Sequence, residues 1–384
     1  MSYSVRAMPS TMLGHDCELS FVNGKGQAYP ATLLYPKPER GMYNGNQYWY
    51  EIGQDGRQAE MRGQAMYCRA WLADGMWHSM SNACQKAKDN GLQVECKSAV
   101  PMLMSSIKKG GENCVVSGCN PDFDWKGTPN TTLHVFSKAP YCFSGVHLHA
   151  SPPKESAIWK NFSKNLHVID TLVGVTMEAI CYDKSSALRR RFYGRAGCHR
   201  PTQYGEDNYG GKINGVEYRT LGGWCLRSPG LMSLAMGFFK MSVGLAYYPE
   251  FLDRAAELLT REEVEGVINN CDREGAAKLV NSKILPFFDD LFIDSTCDYW
   301  NMTHKKNTLM CSENPVQHSL RGAKCNGRKV YEMALDGADF FSGTAVDKLW
   351  KIGQTYISHA GTAHGWKDTS TKIIAEIDRK KESK

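Results

Sequence analysis

Polar and apolar side chains alternate strictly in four short stretches that lie far apart along the chain. In residues 14–22, GHDCELSFV, Asp16, Glu18 and Ser20 alternate with Cys17, Leu19 and Phe21. In 55–62, DGRQAEMR, Gln58, Glu60 and Arg62 alternate with Ala59 and Met61. The stretch 143–152, FSGVHLHASP, sets His147 and His149 against Val146, Leu148 and Ala150, and 215–220, GVEYRT, sets Glu217 and Arg219 against Val216 and Tyr218. Successive side chains of an extended chain point to opposite faces, so each stretch reads as a strand with one apolar and one chemical face. Together they predict a sheet with a polar concave face and an apolar convex face covered by helices.

Three helices are predicted beside it. The run LMSLAMGFFKMSVGLAYY at 231–248 is broken by Lys240 and two serines, so it reads as a buried helix and not a membrane span, with Ser228 as N-cap and Pro229 at the first helical position. Between Pro152 and Cys181, the residues Ile158, Trp159, Phe162, Leu166, Ile169 and Leu172 recur near helical spacing. Thr260 followed by Glu263 is a capping-box pattern opening a third helix. Beyond about residue 285 no repeat or motif stands out; His359 and His364 read as surface residues and the tail DRKKESK as solvated. The expected division is a core over residues 1–250 and a mainly helical extension over 251–384.

Composition narrows the class. With 384 residues, 42% hydrophobic and 22% charged, the chain can bury a substantial core in one large domain or two. A net charge of +6 is too modest for a nucleic-acid footprint and suits a small anionic ligand. Fourteen cysteines without a C-x-x-C pair, behind an N-terminus lacking an apolar signal core, predict free thiols in a reducing cytoplasm. Cys114 and Cys119 lack a second ligand pair and do not make a zinc site.

The chemical face carries its own logic. Carboxylates gathered on one face repel one another unless positive charge lies between them. Oxygen donors with one or two histidines suit magnesium or manganese better than zinc. Arginines in the same register suit phosphate, which their planar fork binds bidentately. The densest basic cluster, Arg189 to Arg191 with Arg195 and Arg200, reads as a solvated basic helix end at Arg189 to Arg191, and with Phe192 and Tyr193 beside it as stacking groups it leaves a nucleic-acid role open as a minor alternative. No Walker loop, no G-x-G-x-x-G after a strand and no G-x-S-x-G elbow is present, so phosphates would be held by metal and arginine, without a nucleophilic side chain.

The order D-x-E, then DG-x-x-x-E, then SGVHLHAS, then an arginine-rich loop and GVEYRT resembles the phage-type COOH-NH2 ligase family, type 2, of the glutamine synthetase fold. GCNPDF at 118–123 and RFYGRAGCHR at 191–200 add to the resemblance, which covers roughly residues 11–250. It implies an α+β fold, a curved and mostly antiparallel sheet with helices on its convex face. It also implies ATP and magnesium or manganese, and an amide bond formed through an acyl phosphate between small-molecule or peptide carboxylate and amine substrates. By the same resemblance Asp16, Glu18, Glu60, His147 and Glu217 are metal ligands and His149 lies beside the ATP phosphates. Arg219 meets the transferred phosphoryl group, with Arg195 and Arg200 as phosphate clamps. His15 before Asp16, and the dozen polar residues between Arg200 and Glu217, depart from the pattern. A phage-encoded ligase of this kind would work in the host cytoplasm. Two other readings stay open: a metal-dependent amidohydrolase, for which H-x-H on a strand is also an opening signature, and a non-catalytic binding or virion-associated protein that keeps the fold.

Overall fold

The structure is a computed structural model that describes residues 11–290, apart from 44, 67–68, 116–121, 131–138, 152–160, 207–211 and 228. Its strands in chain order are β1 (Met12–Val22), β2 (Ala28–Tyr29), β3 (Glu39–Tyr43), β4 (Tyr48–Asp55), β5 (Gln58–Gly63), β6 (Gln93–Glu95), β7 (Ala99–Pro101), β8 (Tyr141–Phe143), β9 (Gly145–Ser151), β10 (His199–Glu206) and β11 (Lys212–Gly222). The architecture is mixed, a large antiparallel sheet with helices. Its path runs β10-β11-β9-β1-β5-β4-β3, with β2 and β6 also paired to β1, while β7 and β8 form a separate ribbon. All four alternating stretches are strands of the large sheet.

Local chemistry explains the joins. β4 and β5 are linked by a two-residue turn, Gly56-Arg57, with Asp55 opposite Gln58 and Gly56 at φ +67°, the left-handed region that glycine enters without penalty. What reads in sequence as a polar loop between Arg200 and Glu217 is a hairpin. β10 pairs with β11 so that Arg200 lies directly opposite Glu217. β10 hides from pattern reading because it is an edge strand, where Pro201 and polar residues are tolerated and no alternation is imposed.

The apolar faces of the strands, including Cys17, Leu19, Ile52, Met61, Val146, Leu148, Val216 and Tyr218, join one core with the helices. Helix Arg69–Asp89, which is not among the predicted helices, contributes Leu72, Met76, Met80, Ala83 and Ala87 at spacings of three and four. Helix Pro229–Gly244 is buried around its circumference, consistent with its apolar run; the proposed cap Ser228 lies outside the described residues. The helix predicted from residue 152 is seen from Phe162 to Ala179, with a π-helical turn over Asp170–Gly174; residues 152–160 lie outside the description. Thr260 and Glu263 form the reciprocal capping box that opens helix Arg261–Asn269. This helix and Arg273–Leu279 share the same core through Val264, Ile268 and Ala276. Cys119, His359, His364 and everything after residue 290 lie outside the described residues. The described cysteines are free thiols, and no described helix is long and apolar enough to cross a membrane.

Candidate active site

Register assembles the site. Directly paired residues of an antiparallel sheet share a face, so Glu18 opposite Glu60, Asp16 opposite both His147 and Arg62, and His149 opposite Glu217 put all five proposed ligands on the side turned away from the helices. His15, one residue from Asp16, falls on the other side and is buried; burial first holds its imidazole down to about 4.

His147 lies at the centre. Its Nδ1 is 3.5 Å from Glu217 Oε1 and its Nε2 is 4.0 Å from Glu18 Oε2. His149 Nε2 is 3.4 Å from Asp16 Oδ2. Arg219 grips Glu217, and Arg200 reaches the same carboxylate at 3.3 Å. On the other flank Arg62 grips Glu60 and lies 3.6 Å from Glu51 and 4.0 Å from Asp16. Arg195 differs from its two partners: it is exposed, and no side-chain ion pair joins it to a described residue. Its loop is nonetheless anchored to the site strand, since its carbonyl accepts the Thr220 hydroxyl at 3.0 Å.

Several residues that alternation did not select hold these groups in place. The backbone N–H of Gly145 donates to Glu18 Oε2 at 2.7 Å, and Tyr193 Oη donates to the same oxygen at 3.0 Å. Gln58 donates to Glu18 Oε1 at 3.3 Å. Arg189 and Arg190 are both buried, so at these two residues the basic cluster is neither a solvated helix end nor an open anion site, while Arg191 is exposed as a helix-end residue would be. Arg189 donates to the carbonyls of Arg219 and Thr220 at 2.9 and 3.1 Å and lies over the Tyr193 ring, while Arg190 pairs with Glu178 at 2.6 Å. The end of β11 is thus braced from just ahead of RFYGRAGCHR, while that stretch itself contributes Tyr193 to Glu18, the Arg195 carbonyl to Thr220 and Arg200 to the face. A separate shallow hollow of about 390 Å³, bounded by Glu39, Tyr50, His78 and Lys86, lies between helix Arg69–Asp89 and β3 and β4, away from this chemistry.

Electrostatics sharpen the picture. Burial first, and the Asp55 charge second, push Glu18 up to about 7. Glu60 is held well above the carboxylate range by burial and then by Asp16. His147 is held well below its ordinary value by burial, then by the Arg219 and Arg189 charges. Asp16 goes the other way: burial would raise it, but the His149 hydrogen bond and the charges of His149 and Arg62 bring it to about 2.

No family model matches the chain, and no curated protein matches it. Among solved structures it is similar to the Pup ligase PafA in its complex with prokaryotic ubiquitin-like protein Pup, at 12% identity and a TM-score of 0.40 over 97% of this chain and 69% of that one. It is also similar to a novel glutamine synthase homolog, at 14% identity and a TM-score of 0.32 over 81% and 70%. Apo GmaS matches at 12% identity and a TM-score of 0.28 over 77% and 72%. What the face does is argued from its own residues.

The donors themselves test whether a divalent cation fits. Glu18 and Glu60 are opposed like charges pushed toward their neutral forms, and His147 Nε2 is buried with no hydrogen-bond partner among the described residues. A carboxylate and imidazole set of this kind fits magnesium or manganese. As they stand, no three described histidine, cysteine, aspartate or glutamate side chains are gathered tightly enough to ligate one ion. Arg62 and Arg219 occupy Glu60 and Glu217 instead, so a cation would enter as those guanidinium groups yield.

Proposed function

We propose that this protein is an ATP- and magnesium-dependent carboxylate-amine ligase. The observation that carries the reading is the convergence on one sheet face of five potential ligands with Arg200 and Arg219, both arginines on the same carboxylate, Glu217. Two phosphate-binding guanidinium groups fixed beside a carboxylate and imidazole cluster suit phosphoryl transfer, in which protein groups position and neutralise instead of reacting covalently.

In this reading Asp16, Glu18, Glu60, His147 and Glu217 would hold magnesium, which supplies positive charge beside the phosphoryl oxygens. Arg219 and Arg200 bind and orient the γ-phosphoryl group, His149 lies beside the phosphates, and Arg195 closes on them from its loop. A substrate carboxylate oxygen bonds to the γ-phosphorus as the bond to the bridging oxygen breaks, releasing ADP and leaving an acyl phosphate. The amine nitrogen then bonds to the acyl carbon, loses a proton, and expels phosphate, leaving an amide. Burial of His147, Glu217 and Arg219 keeps water from this centre, which protects the acyl phosphate from hydrolysis. The substrates are small-molecule or peptide carboxylates and amines.

The test is ADP release from magnesium ATP across paired pools of carboxylates and amines. ADP release that needs both partners is expected, and Glu217→Gln should lower it roughly 100- to 1000-fold. Hydrolysis of preformed amides without ATP would overturn the reading in favour of an amidohydrolase.

A further inference from the structure

Arg219 touches a second carboxylate that none of the proposed roles uses. Asp122 is buried, and its Oδ2 lies 3.7 Å from Arg219 Nε, an ion-pair and not a hydrogen-bond distance, while Arg219 grips Glu217 through Nη1. Cys198 Sγ donates to that same Oδ2 at 2.7 Å. Burial, then the Asp122 charge, push the Cys198 thiol well above its ordinary range, so it stays protonated and acts as donor. Asp122 Oδ1 is buried with no hydrogen-bond partner among the described residues.

The backbone fixes this arrangement. Phe123 exchanges two hydrogen bonds with His199, at 2.8 and 3.0 Å, which clips the segment carrying Asp122 onto β10. Arg219 N donates to Cys198 O at 2.9 Å, so carboxylate, thiol and guanidinium are tied within one backbone ladder. A buried carboxylate needs a compensating charge, and among the described residues Arg219 stands at ion-pair distance to supply it.

We propose that Asp122 is a positioning residue for Arg219: it holds the guanidinium on the site face when Glu217 turns its oxygens to a cation, leaving the Nη groups free for phosphoryl oxygens. This rests on the ligase reading. When Glu217 turns to a cation, Arg219 would lose the carboxylate it grips and keep its place over the Tyr193 ring, 5.9 Å from the ring centre, which holds the guanidinium without fixing its aim. With Asp122 behind it, Nε stays held and the fork keeps its aim.

Binding of the non-hydrolysable analogue AMP-PNP with magnesium, followed by calorimetry, tests it. Asp122→Asn keeps the shape and the acceptor for Cys198 while removing the charge, and should weaken AMP-PNP binding roughly tenfold. Asp122→Glu, which restores the charge, should recover much of that loss. In an Arg219→Gln background, Asp122→Asn should have no further effect, whereas a merely structural role would add its full loss again. Should Asp122→Asn fail to fold, Cys198→Ala unpins the carboxylate without removing its charge and should weaken binding by about two- to tenfold, the range of one hydrogen bond. Wild-type affinity in Asp122→Asn, or in Cys198→Ala where it serves as the substitute, overturns the positioning role and leaves the ligase reading standing. Absence of AMP-PNP binding by the wild-type protein removes both.

Discussion

Glu18 concentrates the opposing demands on this face. Gly145, Tyr193 and Gln58 all donate to its carboxylate, which favours the charge, yet burial and Asp55 push it up to about 7. Below that pH it holds a proton that a cation must displace, whereas His147, held well below its ordinary value, is already neutral. Magnesium affinity should therefore fall as pH drops below about 7, and binding at pH 6.5 should release protons. Calorimetry in buffers of different ionisation enthalpy reads this directly, and binding without proton release would contradict it. Tyr193→Phe removes one donor to the ionised form and should cost magnesium about two- to tenfold in affinity at pH 7, checked by the same titration. Alternation in the sequence identified Glu18 because its neighbours in the strand share its pattern. Tyr193 was read only as a stacking group because it meets Glu18 from 175 residues away, and Asp122 entered only as part of GCNPDF because it lies outside any alternating stretch. Such long-range partners leave no period for a local pattern to detect.

At the scale of elements, β9 carries a close approach at the site that glycine permits. A Cβ on Gly145 would sit 2.5 Å from Arg189 Nη2 and 2.8 Å from His147 Nε2, so glycine is what lets the histidine and the bracing arginine approach the strand. Gly145→Ala should destabilise the protein by about 1–3 kcal/mol and displace His147, lowering both the thermal midpoint and its response to magnesium. A full magnesium response in this variant would show that His147 is not needed there. Far from the face, Thr260→Ala removes the acceptor for Glu263 N and should cost about 1 kcal/mol in denaturant unfolding, with magnesium binding unchanged. The four strands that set charged or histidine side chains against an apolar face were legible from that alternation, whereas β3 and β4, which also add Tyr43 and Ile52 to the core, were not. Helix Arg69–Asp89 was missed although its buried stripe is regular, and β10 was missed because an edge strand is under no such constraint.

At the scale of the molecule, the described long helices pack on the apolar face of the sheet while acids gather on the opposite face, so the core is sustained from one side and the acids on the other oppose folding. Arg62 and Arg219 relieve part of that repulsion in the cation-free protein. Their role was only half visible in sequence: alternation set both on the chemical face, but which carboxylate each would grip depends on cross-strand register. Magnesium bound only by the folded form should raise stability by about 2.7 kcal/mol at a hundredfold excess over its Kd, and ATP should add to this. The decisive measurement is the thermal midpoint of the wild-type protein and of Glu217→Gln, each alone, with magnesium, and with magnesium and ATP. The account predicts a stepwise rise for the wild type and loss of most of it for Glu217→Gln with the fold intact. A wild-type midpoint indifferent to both ligands would contradict it.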